Sequence, residues 1–470
     1  LISEAETLPS QFLELVAERA ENGFDELQSG KTARLSALAR WQRLAEVLRE
    51  PADPAKLAGA PGSLPSEVEN CAWHVAVEER RGAGALTEFE GIVTAGGVPP
   101  AITGKMAAEQ LFSATTLEQL VHCPLRFFFE HVLNVKAPQP EQIKLGGELG
   151  LIVHRVLFRF MDVMRAQSFE LLWQNNLAGA TQILVRIACE ELRQLLPTND
   201  LRRLVLGWQL LGKDQLLALA AKDDGDAQVF GTPSWREAVC HALESAGHAE
   251  GRLMLFLKTE MDRWKDRGNV EVPVPALLEW QFGMPTAGHE NEIDPASQAE
   301  PVQLTGRGRA FRLRGKIDRV DARCSEGRFA VIDYKTGSTL PSWNSVRELE
   351  AIQLPLYAAA IEATRPAGLT TCEDVAYYHI GRSGAEFKSM NNEVGETILN
   401  VCRRAGEAVD QFADGTFFAL LCAKPAPDGA PCARYGSTCP FYLKACFGHD
   451  DAQLVAKVRL AAPGHKVGGK

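Results

Sequence analysis

From Leu149 to about Trp264, apolar residues recur with the 3.6-residue period of amphipathic helices, interrupted by turns near 197–200 and 223–233. The texture then changes. The segments at 276–284 (ALLEWQFGM), 301–306, 311–322 and 328–337 read as strands. A helix at about 347–363, a strand at 374–381 and a helix at about 393–413 follow. Strands and helices interleaved in one segment predict an α/β domain with a mixed central sheet and flanking helices. Upstream, residues 1 to about 110 read as helices separated by two Gly/Pro-rich breaks, 58–66 and 94–104. Between 113 and 135, Thr115 and Glu118 have the spacing of a capping box, opening a helix that bends at Pro124.

Two of the strands carry unusual polar residues. In "VIDYKTG", 331–337, an apolar strand ends in Asp333, Tyr334 and Lys335, and alternation puts Asp333 and Lys335 on one face. The preceding strand, "LRGKIDRVDA", is joined to it by the short turn 324–327, which predicts a β-hairpin. A turn centred on Ser325–Glu326 sets Asp318 across from Asp333 and Lys316 across from Lys335. Directly opposed acids repel one another. A divalent cation held by oxygen ligands resolves the repulsion, and a slip of one residue would remove it by sending Asp318 to the other face. Two carboxylates beside a lysine form a minimal kit for hydrolysing a phosphodiester with Mg²⁺.

Composition narrows the setting. The formal net charge of −10 argues against bulk electrostatic binding of nucleic acid, yet "RGRAFRLRGKIDR", 307–319, holds six basic residues and one acid. That strip is either a solvated strand face or a local nucleic-acid contact. "SGKT" at 29–32 has Asp25 where a phosphate-binding loop needs glycine, which excludes an ATP site there. No apolar run is long enough to span a membrane, and the N-terminus has no signal-peptide pattern. The chain opens on Leu1 rather than Met, and we read it as the C-terminal part of something longer. Eleven cysteines without a secretory signal argue against a disulfide framework. Cys422, Cys432, Cys439 and Cys446 crowd one C-terminal segment, a pattern that points to metal.

The motif set "GKIDRVD…VIDYKTG" resembles the core of the PD-(D/E)XK nucleases, specifically the RecB/AddB-type nuclease domain. "LGLIVHRVLFRF", 149–160, is similar to that group's upstream histidine motif, and "AIQLPLY", 351–357, resembles its Q-x-x-x-Y motif. Glu279, in "LLEWQF", matches an acid on the first core strand. The resemblance implies a restriction-endonuclease-like core in which Asp318, Asp333, His154 and Glu279 hold Mg²⁺ or Mn²⁺. Lys335 would act on the water or the transition state, and Gln353 and Tyr357 would position the DNA backbone or the lysine. It also implies a bacterial, cytoplasmic enzyme, more an exonuclease than an endonuclease. Such an enzyme acts on DNA ends in double-strand-break repair beside a helicase subunit or domain.

Part of that group carries a [4Fe–4S] cluster with one cysteine before the nuclease core and three after it. Cys123, Cys432, Cys439 and Cys446 are the matching residues here, with a C-x₆-C-x₆-C spacing that departs from the usual C-x₂-C-x₅-C. Cys422 is a substitute for Cys432, and structural zinc is the competing metal. The expected organisation is a partial helicase-like region at 1–110 and a nuclease domain at 111–450. Within the latter, 149–265 is largely helical, 276–414 is the catalytic core and 422–446 is the cysteine cluster; 451–470 is a tail. Two other functions stay open: a non-catalytic DNA-binding scaffold, and a metal-stabilised interaction module of a repair complex.

Overall fold

The computed structural model describes residues 92–417, apart from 95–96, 136–144, 197–199, 223–249, 266–272, 287–291, 307, 324–326, 338 and 391–392. The chain divides into two compact units, 1–92 with 448–466 and 93–447 with 467–470; the description below is of the second. Its main helices are α1 (Pro100–Glu109), α2 (Ala114–His122), α3 (Leu145–Ala166), α4 (Leu177–Leu195), α5 (Asp200–Leu211), α6 (Arg252–Lys265), α7 (Gln353–Thr364) and α8 (Val394–Ala413). The strands are β1 (Leu111–Ser113), β2 (Val274–Phe282), β3 (Val302–Leu304), β4 (Phe311–Arg323), β5 (Arg328–Lys335), β6 (Thr371–Ile380) and β7 (Ala385–Ser389).

The strands form one mixed sheet, in the order β1-β4-β5-β6-β7, with β2 and β3 also paired to β4. β1 with β4 and β5 with β6 are parallel; the remaining pairs are antiparallel. Helices cover both faces, the α/β architecture that the alternation of strands and helices predicts. One core packs β4, β5 and β6 against α2, α7 and α8. The other packs the opposite face against α3, α4, α5 and α6. In α3 the buried positions Leu149, Ile152, Val153, Val156, Leu157, Phe160, Met161 and Met164 trace one helical stripe.

The β4–β5 hairpin has the register expected of a turn centred on 325–326, from Arg323↔Arg328 to Arg319↔Ile332. The ladder ends there, one position short of Asp318. Its carboxylate instead accepts the Tyr334 amide at 2.7 Å, and Lys316 pairs with Gln281 on β2 rather than with Lys335. Two local expectations also change, and two strands appear that the sequence does not mark. α2 is capped by Ser113, whose Oγ accepts the Thr116 amide at 3.1 Å, so Thr115 lies inside the helix. α7 begins at Gln353, after a separate short helix at Trp343–Arg347. β1 and β7 are too short, three and five residues, to mark a sequence period.

Candidate metal centre

β2 and β4 change step together at one level. Along β4, Phe311, Leu313 and Ile317 enter the first core, and so do Val320 and Ala322. The inward positions are thus odd-numbered before Asp318 and even-numbered after Arg319. β2 behaves the same way: Leu277 faces the first core, Leu278 the second, and Trp280 and Phe282 the first again. Because both strands shift, their pairing survives on either side, Leu278↔Arg319 and Trp280↔Ile317. At the step sits Glu279 with φ 49°. A left-handed non-glycine residue inside a strand is uncommon, and backbone strain of this kind, of order 1–3 kcal/mol, gathers at functional sites.

The step brings three ligand-type side chains together. His154 is one residue off the buried stripe of α3. Its Nδ1 lies 3.2 Å from Asp318 Oδ1 and 3.6 Å from Glu279 Oε1. One donor atom from each of these three residues falls within 4.8 Å of the others. Glu279 Oε1 is buried without a hydrogen-bond partner, while Oε2 pairs with Lys316 Nζ at 2.8 Å. Gly150, one turn before His154 on α3, lets that helix close on the end of β5. A Cβ there would come 3.3 Å from Thr336 Oγ1.

Asp333 stands outside this triad and belongs to a second group. Lys335 Nζ lies 2.7 Å from Asp333 Oδ2 and 3.4 Å from Gln353 Oε1. Gln353 Nε2 donates to Asp333 Oδ1 at 3.3 Å and to the Tyr357 hydroxyl at 3.5 Å. The i, i+4 spacing on α7 therefore turns both residues to one face, as expected. Gly315 makes room for them, since a Cβ there would come 2.8 Å from Tyr357 Cε1. The end of β5 is held by Arg252, a buried residue the sequence does not mark, which donates to the carbonyls of Thr336 (3.0 Å) and Ile380 (2.6 Å).

The electrostatics reflect carboxylates crowded in a dry place. Burial alone would lower the His154 pKa, but the charge and hydrogen bond of Asp318, then the nearby Glu279 carboxylate, push it up to about 11. Burial and the Asp318 charge raise Asp333 to about 6, against the pull of Lys335 and His154. Burial would raise Asp318 too, yet the His154 charge and hydrogen bond and the Tyr334 amide hold it below the usual range. Burial also lifts the Tyr357 hydroxyl to about 12, so it stays protonated and able to donate. In this state an imidazolium proton sits among carboxylates where a metal cation would otherwise balance the charge.

On the second-core side lies a charge network that the sequence conceals. Arg319 is 1% exposed, and its Nε donates to Asp321 Oδ1 at 2.5 Å while its Nη2 donates to Glu260 Oε1 at 2.8 Å. Arg263 Nη1 and Trp264 Nε1 complete Glu260, at 2.9 and 3.0 Å. The basic strip at 307–319 is therefore not one surface: Arg319 is core, Lys316 serves Glu279, Arg309 pairs with Asp410, and Arg312 and Arg314 are exposed. Of the expected cluster cysteines, Cys123 is buried and its Sγ accepts the Arg126 amide at 3.4 Å. Cys432, Cys439 and Cys446, with Cys422, lie outside the described residues.

Residues 111–442 match the PD-(D/E)XK nuclease superfamily, a span that covers most of the chain and contains both polar groups. The chain belongs to the PD-(D/E)XK nuclease superfamily. A curated relative, a subunit of the ATP-dependent helicase/deoxyribonuclease of Moorella thermoacetica, is 23% identical over 271 residues. The aligned part is 55% of this chain and 19% of that protein, so the PD-(D/E)XK chain spans only a fraction of the relative's length. Among the described residues, no helix is long and apolar enough to cross a membrane.

Proposed function

We propose that this chain is a metal-dependent deoxyribonuclease that hydrolyses phosphodiester bonds, with Asp318, Glu279 and His154 holding Mg²⁺ or Mn²⁺. The observation that carries the reading is Glu279 Oε1, a buried carboxylate oxygen without a hydrogen-bond partner, facing His154 and Asp318 in a member of a nuclease superfamily. Two carboxylates and an imidazole suit a hard or borderline divalent ion. An ion there supplies Lewis-acid stabilisation of phosphoryl charge and makes water a better nucleophile at neutral pH.

The chain's own groups do the rest. Lys335 is tethered on two sides, by Asp333 and by Gln353, and about a third of its side chain stays exposed. It can therefore aim a donor at negative charge that grows on the phosphate, the kind of contact worth about 10²–10³ in rate. Gln353 spans Asp333 and Lys335, and Tyr357 fixes Gln353, so α7 sets the lysine's direction. Asp333 sits beside the triad and either completes the metal's oxygen shell or serves as the counter-ion of Lys335.

The wider reading draws on the relative, which is named as a helicase/deoxyribonuclease subunit. By that likeness the chain acts on DNA ends in double-strand-break repair, as an exonuclease in the bacterial cytoplasm, beside a helicase subunit or domain. A [4Fe–4S] cluster or a zinc ion on Cys123, Cys432, Cys439 and Cys446 remains part of the proposal, with no step of the chemistry depending on it. The test of the central reading is cleavage of linear DNA, single- and double-stranded, by the purified chain. Cleavage should require Mg²⁺ or Mn²⁺ and fall about 10²–10³-fold in Lys335→Ala. Intact DNA after incubation of the wild-type chain with either metal would overturn it.

A further inference from the structure

On a chain with a net charge of −10, long-range electrostatics repel nucleic acid, so any contact with it must be local. β4 supplies such a contact. Arg312, Arg314 and Lys316 alternate with the buried Phe311, Leu313, Gly315 and Ile317, so the three cations share one face of the strand. Successive members are about 6.7 Å apart, commensurate with the spacing of phosphates along one nucleic-acid strand. Lys316 ends the row at the metal centre, with its Nζ 2.8 Å from Glu279 Oε2.

Arg312 and Arg314 differ from most arginines of this unit. Arg155, Arg159, Arg165, Arg263 and Arg319 are all engaged with carboxylates. Among the described residues, Arg312 and Arg314 have no ion pair, and both are exposed. Their strand neighbours on that face bring no acid: Arg312 is paired with Gln303 on β3, and Arg314 with Ser113 on β1. Two unneutralised guanidiniums in line with a carboxylate centre are poorly explained by folding, because a solvated arginine adds little stability.

We propose that Arg312 and Arg314 form a backbone track that binds successive phosphates of one DNA strand and leads it along β4, past Lys316, to the metal centre. The inference rests on the nuclease reading and adds to it the side from which the strand arrives. The strand crosses the β1–β3 end of the sheet, away from the Lys335–Gln353 group. The two arginines position the strand without touching the reacting phosphate.

The test is equilibrium binding of DNA by the full 470-residue chain in a chelator, so that no cleavage occurs, measured at several salt concentrations. The variants are Arg312→Gln, Arg314→Gln, the double variant, and Arg365→Gln as a charge-loss control at the C-terminal end of α7. The track predicts that each track substitution lowers the slope of log K against log salt by about 0.7 if the bound strand is single, or about 0.9 if it is in a duplex. The control should leave the slope unchanged. In Mg²⁺, the double variant should cleave long DNA more slowly at sub-saturating concentration and a dinucleotide at the wild-type rate, since the dinucleotide reaches only the centre. Unchanged affinity and slope in the double variant, or an equal loss in Arg365→Gln, would overturn the track. Failure of the wild type to cleave with metal would instead count against the nuclease reading, with the binding result still deciding the track.

Discussion

Asp318 and Arg319 are neighbours on β4, yet the charges gathered around them are arranged in opposite ways. Around Arg319, two arginines face Glu260 and Asp321 inside the second core, and a tryptophan N–H helps to complete Glu260. Charge balances charge with side chains alone. Around Asp318, the triad with Glu279 and His154 keeps a buried oxygen without a hydrogen bond, a strained backbone at Glu279 and a proton held on the imidazole by its neighbours. Arg319 Nη1 also lacks a hydrogen-bond partner, so the contrast lies in the charges. Two arginines meet two carboxylates there, whereas Asp318 and the left-handed Glu279 share one histidine. Under the proposed function, the Arg319 cluster is structural and the Asp318 cluster is a place kept for a cation.

Mutations should separate the two clusters. Removing Glu260 leaves the buried Arg319 and the partly buried Arg263 short of a partner, so Glu260→Ala should cost about 3–5 kcal/mol of folding stability, read from denaturant unfolding. Asp318→Asn or Glu279→Gln should behave differently, lowering DNA cleavage by about 10²–10³-fold or more. Either substitution relieves carboxylate crowding, so the midpoint of unfolding without metal should fall by far less than in Glu260→Ala. Equal loss of stability in all three variants would erase the distinction.

Smaller effects sharpen it. Gly315→Ala pushes a methyl into the Tyr357 ring and should cost about 1–3 kcal/mol through overpacking. It should also slow cleavage, because Tyr357 fixes Gln353 and through it Lys335. Wild-type stability and rate in Gly315→Ala would show that the ring can move aside freely.

Acid provides the mildest probe. Burial alone would raise the Glu260 carboxyl, but the charges of Arg319 and Arg263, with hydrogen bonds from Arg319 and Trp264, hold it well below the usual range. A carboxyl depressed in the folded state stabilises fully above its unfolded pKa, about 4.3, and that contribution fades as pH falls toward the folded value. Unfolding stability measured between pH 6 and pH 3 should therefore drop more steeply in the wild type than in Glu260→Gln. Parallel curves would contradict the assignment of acid sensitivity to this network.

Much of the site is legible in the residue pattern, and the failures have physical causes. The hairpin register follows from the turn between Arg323 and Arg328, and the resemblance to the nuclease motifs singles out His154 and Glu279 without geometry. What the pattern hides is the joint step of β2 and β4. Strict alternation would send Arg319 into the first core with Phe311, Leu313 and Ile317; the step turns it to the second-core side, where Glu260 receives it, and strand periodicity has no sign for it. The paired ladder ends at Arg319↔Ile332, and beyond it Asp333 feels the Asp318 charge while contacting Lys335 and Gln353. Ser113 caps α2 in place of Thr115 because hydroxyl residues at 113, 115 and 116 offer competing starts, and β1 ends at the first of them.

The central claim is that Asp318, Glu279 and His154 form a cation site and the Arg319 network does not. It is tested most directly by calorimetric titration of Mg²⁺ or Mn²⁺ into the metal-free chain, with thermal unfolding followed in parallel. A ligand bound only by the folded state at about a hundred times its Kd adds about 2.7 kcal/mol, so the unfolding midpoint should rise with metal. Saturable binding and a raised midpoint are expected in the wild type, both lost in Asp318→Asn and Glu279→Gln. No heat and no midpoint shift in the wild type at millimolar metal, or binding that survives both substitutions, would contradict the claim.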